Sequence, residues 1–147
     1  MEEEFYHKDL FGAVVDVDFT AAEEEELVGS KKRPDFNIFI FTDAVGTRDK
    51  RKAWMLYQQA LEAGFVPEEM FYKLVWQVKT LLLAAKTRTA VEADMKAFPY
   101  NKAKGNLKKW KLEELEKLSE DLVLGYHKAR RGEGEIETLV EKIILSI

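Results

Sequence analysis

Residues 67–86, PEEMFYKLVWQVKTLLLAAK, constrain this chain more than any other stretch. Pro67 suits the first position of a helix, where its missing N–H costs nothing, and Glu68 and Glu69 favour the positive end of the helix dipole. Met70, Phe71, Leu74, Val75, Val78, Leu81, Leu82 and Ala85 then recur as one broad helical face. Tyr72, Trp76 and Leu83 form a second apolar patch beside it, which leaves only a narrow polar arc of Glu69, Lys73, Gln77 and Thr80. A helix apolar around most of its circumference belongs inside a bundle. The expectation is an all-α fold, a helical bundle of about six or seven helices around a central buried helix at 67–86. Only three prolines and eight glycines punctuate 147 residues, which suits long helices better than many short strands.

The flanking stretches supply the other helices. Asp35-Phe36-Asn37-Ile38-Phe39-Ile40-Phe41 has strand propensity, but no second strand exists to pair with it. Phe36, Phe39, Ile40 and Ala44 share a helical face, so a helix ending at Gly46 is expected, with Thr47 capping the next. That next helix, 48–63, carries its stripe at Ala53, Leu56, Tyr57, Ala60 and Leu61 and stops at Gly64. Residues 87–98 read as a shorter helix through Ala90, Val91, Met95 and Phe98. Pro99 restarts the chain and opens a Lys-rich segment, PYNKAKGNLKKWK. A long helix over 112–131 follows, with Leu112, Leu115, Leu118, Leu122, Tyr126 and Ala129 on one side. Gly132 and Gly134 break it, and Ile136, Leu139, Val140, Ile143, Ile144 and Ile147 mark a last amphipathic helix. Toward the N-terminus, GAVVDVDF alternates like a strand or an extended link. Thr20 and Glu23 have capping-box spacing for a helix over 21–28. The break at Lys31-Lys32-Arg33-Pro34 divides a lead-in segment, 1–33, from a helical domain, 34–147.

Charge is distributed unevenly. Residues 1–30 hold ten acids and one lysine (−9), residues 31–111 hold seventeen cations and eight acids (+9), and residues 112–147 hold five cations and nine acids (−4). The basic middle suits solvated helix faces or an acidic partner. Three basic groups could bind phosphate backbones: Lys31-Lys32-Arg33, the candidates Arg48, Lys50, Arg51 and Lys52, and the run from Lys102 to Lys111, in which Lys102, Lys104, Lys108 and Lys109 are candidates interleaved with Tyr100 and Trp110. A pI near 5.4 is unlike a dedicated nucleic-acid binder. Any DNA contact is therefore expected to be weak and non-specific.

Catalytic, cofactor-binding and metal-binding signatures are absent: there is no GxxxxGK, GxGxxG, GxSxG or HExxH pattern, and His7 and His127 stand alone. The acid pairs at Glu113-Glu114 and Glu23 to Glu26 lie where helices start, and the dipole explains them. Neither an enzyme nor a small-molecule substrate is expected. No run is long and apolar enough for a membrane span, the acidic start MEEEF is unlike a signal peptide, and there is no cysteine, so a cytoplasmic protein is expected.

Several blocks together resemble a known family. NIFIFTDAVGTRDKRKAWMLYQQALEAG (37–64) is similar to the opening of the C-terminal helical domain in the delta subunit of the bacterial DNA polymerase III clamp loader, where "IF.LTDAI..RD…A…L..L…G" occurs. Pro67, Met70 and LVWQVKTLLLAAK (74–86) resemble the family's "L.RQ.R.LL..K" helix, with Lys79 where Arg is usual. Phe98-Pro99-Tyr100 with Lys102 and Lys104 looks like "HPF..KK", with Phe98 in place of His. YHKARRG (126–132) is similar to the "D..IK.G" ending, Tyr126 replacing the acid and Arg130 the Lys. TAAEEEELV resembles the "IT.EDVE.LV" segment leading out of the lid domain. The likeness spans roughly 20–147 and has no counterpart of the family's ATPase-like domain, so it implies a fragment of a longer delta subunit. What it implies of function is a scaffold: a collar domain joining delta to other loader subunits during DNA replication, without ATP hydrolysis. Tyr72, Trp76 and Leu83 are the subunit-contact candidates, unless they are internal core. A free-standing α-helical adaptor, or a weak nucleic-acid-binding module, is the alternative.

Overall fold

The computed structural model describes residues 36–147. Among them are six α-helices, one short 3-10 turn and no strand: α1 (Ile38–Gly46), α2 (Lys50–Glu62), α3 (Pro67–Lys86), α4 (Ala97–Asn106) running into the 3-10 turn (Leu107–Lys109), α5 (Leu112–Arg130) and α6 (Ile136–Ser146). The all-α expectation is met. The strand-like stretch 12–19, the helix 21–28 with its capping box, the boundary at 31–34 and His7 lie outside the described residues.

Pro67 opens α3 as its first residue, and Glu69 Oε1 accepts from the Val66 amide at 2.9 Å, which closes the helix start. The helix packs against α1, α4, α5 and α6. Nine of its twenty residues are buried, with Leu74, Val75 and Leu81 fully so. The buried arc is rotated from the expected one. Gln77 and Thr80, read as polar and outward, are buried, whereas Leu82 is half-buried and Ala85 exposed. The Gln77 side of α3 faces α1, where Gly46 lies against the Gln77 amide and an added Cβ would displace that side chain.

Three other local readings change. In α1 the buried residues are Ile38, Phe41, Thr42, Ala44, Val45 and Gly46, while Phe39 and Ile40 are exposed. The segment is apolar on all sides, and α2 selects the face: Phe41 packs on Tyr57, ring centroids 6.5 Å apart. Asp49, not Thr47, caps α2, accepting from the Lys52 amide at 3.1 Å. Thr47 instead turns its hydroxyl back to the carbonyls of Asp43 and Ala44.

The helix expected over 87–98 does not form. Its polar side chains satisfy the backbone locally: Thr89 Oγ1 accepts from the Glu92 amide and Glu92 Oε1 from the Arg88 amide, and Asp94 adopts φ 57°. Helix α4 then begins at Ala97, before Pro99. Pro99 is its third residue, so its missing N–H falls among the amides that have no intrahelical partner.

The ends of α2 and α5 are as the sequence indicates. Gly64 and Gly132 follow the C-caps Ala63 and Arg131 with φ of 102° and 81°. Against α5, Gly125 leaves room for Leu139 of α6, whose Cδ2 would lie 2.8 Å from an added Cβ. Val140, Ile143 and Ile144 of α6 are buried.

Tyr57 is fully buried, and its hydroxyl has no hydrogen-bond partner among the described residues. Burial first, and then the charges of Glu137 and Glu141, push its pKa from 10.0 up to about 12. Because the folded value is the higher, the unfolded chain ionises first as pH rises. Stability is therefore expected to fall from about pH 10 towards pH 12. Tyr57→Phe removes an unpaired buried hydroxyl at little change in shape and is expected to raise stability by about 1 kcal/mol. It should also make the alkaline fall shallower. Urea titrations at neutral pH and at steps above pH 10 check both. A clear destabilisation at neutral pH would mean that the hydroxyl has a partner.

Candidate interaction surfaces

Arg48 of one basic group reaches the segment of another, at Lys109 and Trp110, at the junction after α1. Arg48 adopts φ 60°, a left-handed conformation uncommon outside glycine. This turn sends its guanidinium across the fold. Nη1 donates to the Lys109 carbonyl at 3.0 Å and to Glu114 Oε1 at 2.8 Å, and the guanidinium lies 4.3 Å from the centre of the Trp110 ring. Trp110 is buried, and its Nε1 donates to the Gly46 carbonyl at 2.9 Å, closing one of the acceptors left open at the C-terminal end of α1. Glu114 also accepts from the Lys111 amide at 2.9 Å, at the start of α5. That bond first, and the Arg48 guanidinium second, hold its carboxyl below the usual carboxylate range.

The eight cations picked out in the sequence therefore divide. Arg48 is committed to Glu114 and Trp110. Lys102 pairs with Asp43, Nζ to Oδ1 3.1 Å, and sits over the Phe98 ring. Lys104 donates to the Thr87 carbonyl at 2.8 Å, closing the end of α3. Lys50, Arg51, Lys52, Lys108 and Lys109 are exposed and form no ion pair among the described residues. Lys111, the last cation of the same Lys-rich run, is exposed beside them. Tyr100 and Trp110 are buried, so neither is presented for base stacking.

A cleft of about 220 Å³ opens beside this junction, between Arg48, Trp110, Glu114, Lys117 and Asp121. It is smaller than usual small-molecule pockets. Its charges are matched within the protein, Arg48 with Glu114 and Lys117 with Asp121. No cluster of metal-ligating side chains occurs among the described residues. No helix among them is long and apolar enough to cross a membrane.

The second candidate surface runs along α3. Tyr72 is exposed at 38%, and Trp76 and Leu83 are half-buried. Tyr72 belongs to an aromatic group with Phe71 and Tyr126: the Phe71 and Tyr126 rings stack at 5.4 Å, and the Tyr72 and Tyr126 hydroxyls stand 3.5 Å apart. Leu83 packs against the core. The strip is thus partly anchored and partly open. On α1, the exposed Phe39 lies beside Lys73 of α3, its ring centre 5.5 Å from Nζ. His127 is exposed, its ring 6.0 Å from that of Tyr126. Comparison with known protein families, with curated proteins and with solved structures returned no match to this chain.

Proposed function

We propose that this chain is a scaffold domain that holds a delta-type subunit in a sliding-clamp loader during DNA replication, acting through helix packing and not through bond chemistry. The observation that carries the reading is the convergence of the blocks on which the resemblance rests. Asp43 of TDAVG pairs with Lys102 of the Phe98-Pro99-Tyr100 element, and Gly46 packs on Gln77 of the QVKTLLLAAK helix. These pairings give the scattered residues a common structural purpose, and the strip of exposed Tyr72 and half-buried Trp76 offers a neighbouring subunit a partly open apolar surface.

The test is co-elution of the whole chain with the clamp-loader subunits of the organism that encodes it. A stoichiometric complex is expected, and Tyr72→Glu with Trp76→Glu should weaken it at least about tenfold, since central aromatics dominate interface energies. Far-ultraviolet circular dichroism and the thermal midpoint must stay near those of the parent. Failure to form any complex, or a complex indifferent to both substitutions, defeats the reading.

Five exposed, unpaired cations favour a second reading, weak sequence-independent contact with nucleic acid. Binding to duplex is then expected at micromolar affinity or weaker, with a salt slope of about −0.9 per phosphate contacted. Alanine at Lys50, Arg51 and Lys52 should flatten that slope. Substituting Lys102 and Lys104 should instead lower stability, because their charges are used inside the fold. Anisotropy titrations across a salt series measure the slope. Tight binding to one sequence that persists at high salt would favour a dedicated nucleic-acid module over the scaffold.

A further inference from the structure

We propose that the acidic stretch 1–30 of this same chain docks on the basic surface formed by Lys50, Arg51, Lys52, Lys108, Lys109 and Lys111. These six side chains are exposed and form no ion pair among the described residues. They come from two segments that Arg48 holds together through the Lys109 carbonyl and the Trp110 ring. The two segments are therefore held side by side, and apart from Lys111, which faces the Glu114 carboxylate, their cations have no acid partner among the described residues.

The complementary charge lies in the same polypeptide. Residues 1–30 hold ten acids against one lysine, and four of the acids, Glu23 to Glu26, are consecutive. Reach is sufficient. Glu26 precedes Asn37 by eleven residues, which span up to about 36–40 Å when extended. From Asn37 the basic surface lies just beyond the far end of α1, a nine-residue helix of about 14 Å. A tether of this kind confers a high effective concentration on its own acids. Single exposed ion pairs contribute little, so docking requires several together and weakens as salt rises. The acids then occupy the positions that phosphates would take, and the segment lowers the affinity of the full chain for any polyanion.

This inference is independent of the clamp-loader assignment, and its test contains neither DNA nor another subunit. The chain has no cysteine, so Glu25→Cys in the full-length protein accepts a single nitroxide. At low salt the backbone amide resonances of residues 50–52 and 107–111 are expected to lose most of their intensity relative to the reduced label, and to regain it at high salt. Charge removal by Lys108→Gln, Lys109→Gln and Lys111→Gln should restore part of the intensity at 50–52. The indole resonance of Trp110 reports that the junction stays folded. Broadening confined to 31–37, the signature of acids folding back on Lys31, Lys32 and Arg33, overturns the proposal. So does broadening centred on Tyr72, Trp76 and Leu83, or no broadening. Broadening passed to an isotope-enriched, unlabelled copy in a mixed sample means docking on a second molecule, and that also overturns it.

Discussion

Trp110→Ala is expected to lower the unfolding free energy by about 3–5 kcal/mol, in the range of large buried aromatic deletions. Two losses combine. The cavity left by the indole removes packing between the start of α5 and the end of α1, and the buried Gly46 carbonyl loses its donor. Arg48 also loses the ring beneath its guanidinium, although Glu114 and the Lys109 carbonyl still hold it. Trp110→Phe separates the contributions: it retains most of the apolar volume, removes the N–H, and should cost about 1–3 kcal/mol. Urea titrations followed at 222 nm give both values. Equal losses for the two variants would place the whole effect in the hydrogen bond, and an unchanged midpoint would remove Trp110 from the core.

A pair of adjacent leucines supplies the second large effect. Leu81 is fully buried and Leu82 only half-buried, so Leu81→Ala should cost about 2–5 kcal/mol and Leu82→Ala less than half as much. Sequence periodicity ranks the two leucines alike, because both fall within the broad apolar face of 67–86. The contrast tests the rotation of α3 towards Gln77 directly. Equal costs, or a larger cost at Leu82, would return the helix to the orientation that the apolar stripe alone suggests.

Features governed by neighbouring residues were legible in the sequence. Pro67 with two following glutamates marks the start of α3, and Gly64 and Gly132 mark the ends of α2 and α5, because these signals act within one turn of chain. The face of α1 was not legible. Ile38, Phe39, Ile40 and Phe41 offer an apolar stripe in either direction, and the choice belongs to Tyr57 on another helix. Residues 87–96 misled for a different reason. Their apolar spacing suits a helix, yet Thr89 and Glu92 offer the backbone closer partners. The candidate surface was legible as charge and illegible as availability. Arg48, Lys102 and Lys104 resemble Lys50 and Lys108 in sequence, and only their partners, Glu114, Asp43 and the Thr87 carbonyl, set them apart.

The hydrogen bond from Trp110 to Gly46 spans 64 positions of the chain, which orders events during synthesis. Helix α1 leaves the ribosome long before the indole that closes its C-terminal end. At common elongation rates that gap lasts roughly 3–13 s, far longer than helix formation or hydrophobic collapse requires. Throughout this interval Phe41, Val45 and the buried side of α3 emerge with only part of their packing available, since α5 and α6 are still to be made. The nascent chain is thus committed to a waiting period with apolar surface uncovered. Substitutions that slow translation between 47 and 110 should reduce soluble yield without altering the stability of the finished protein.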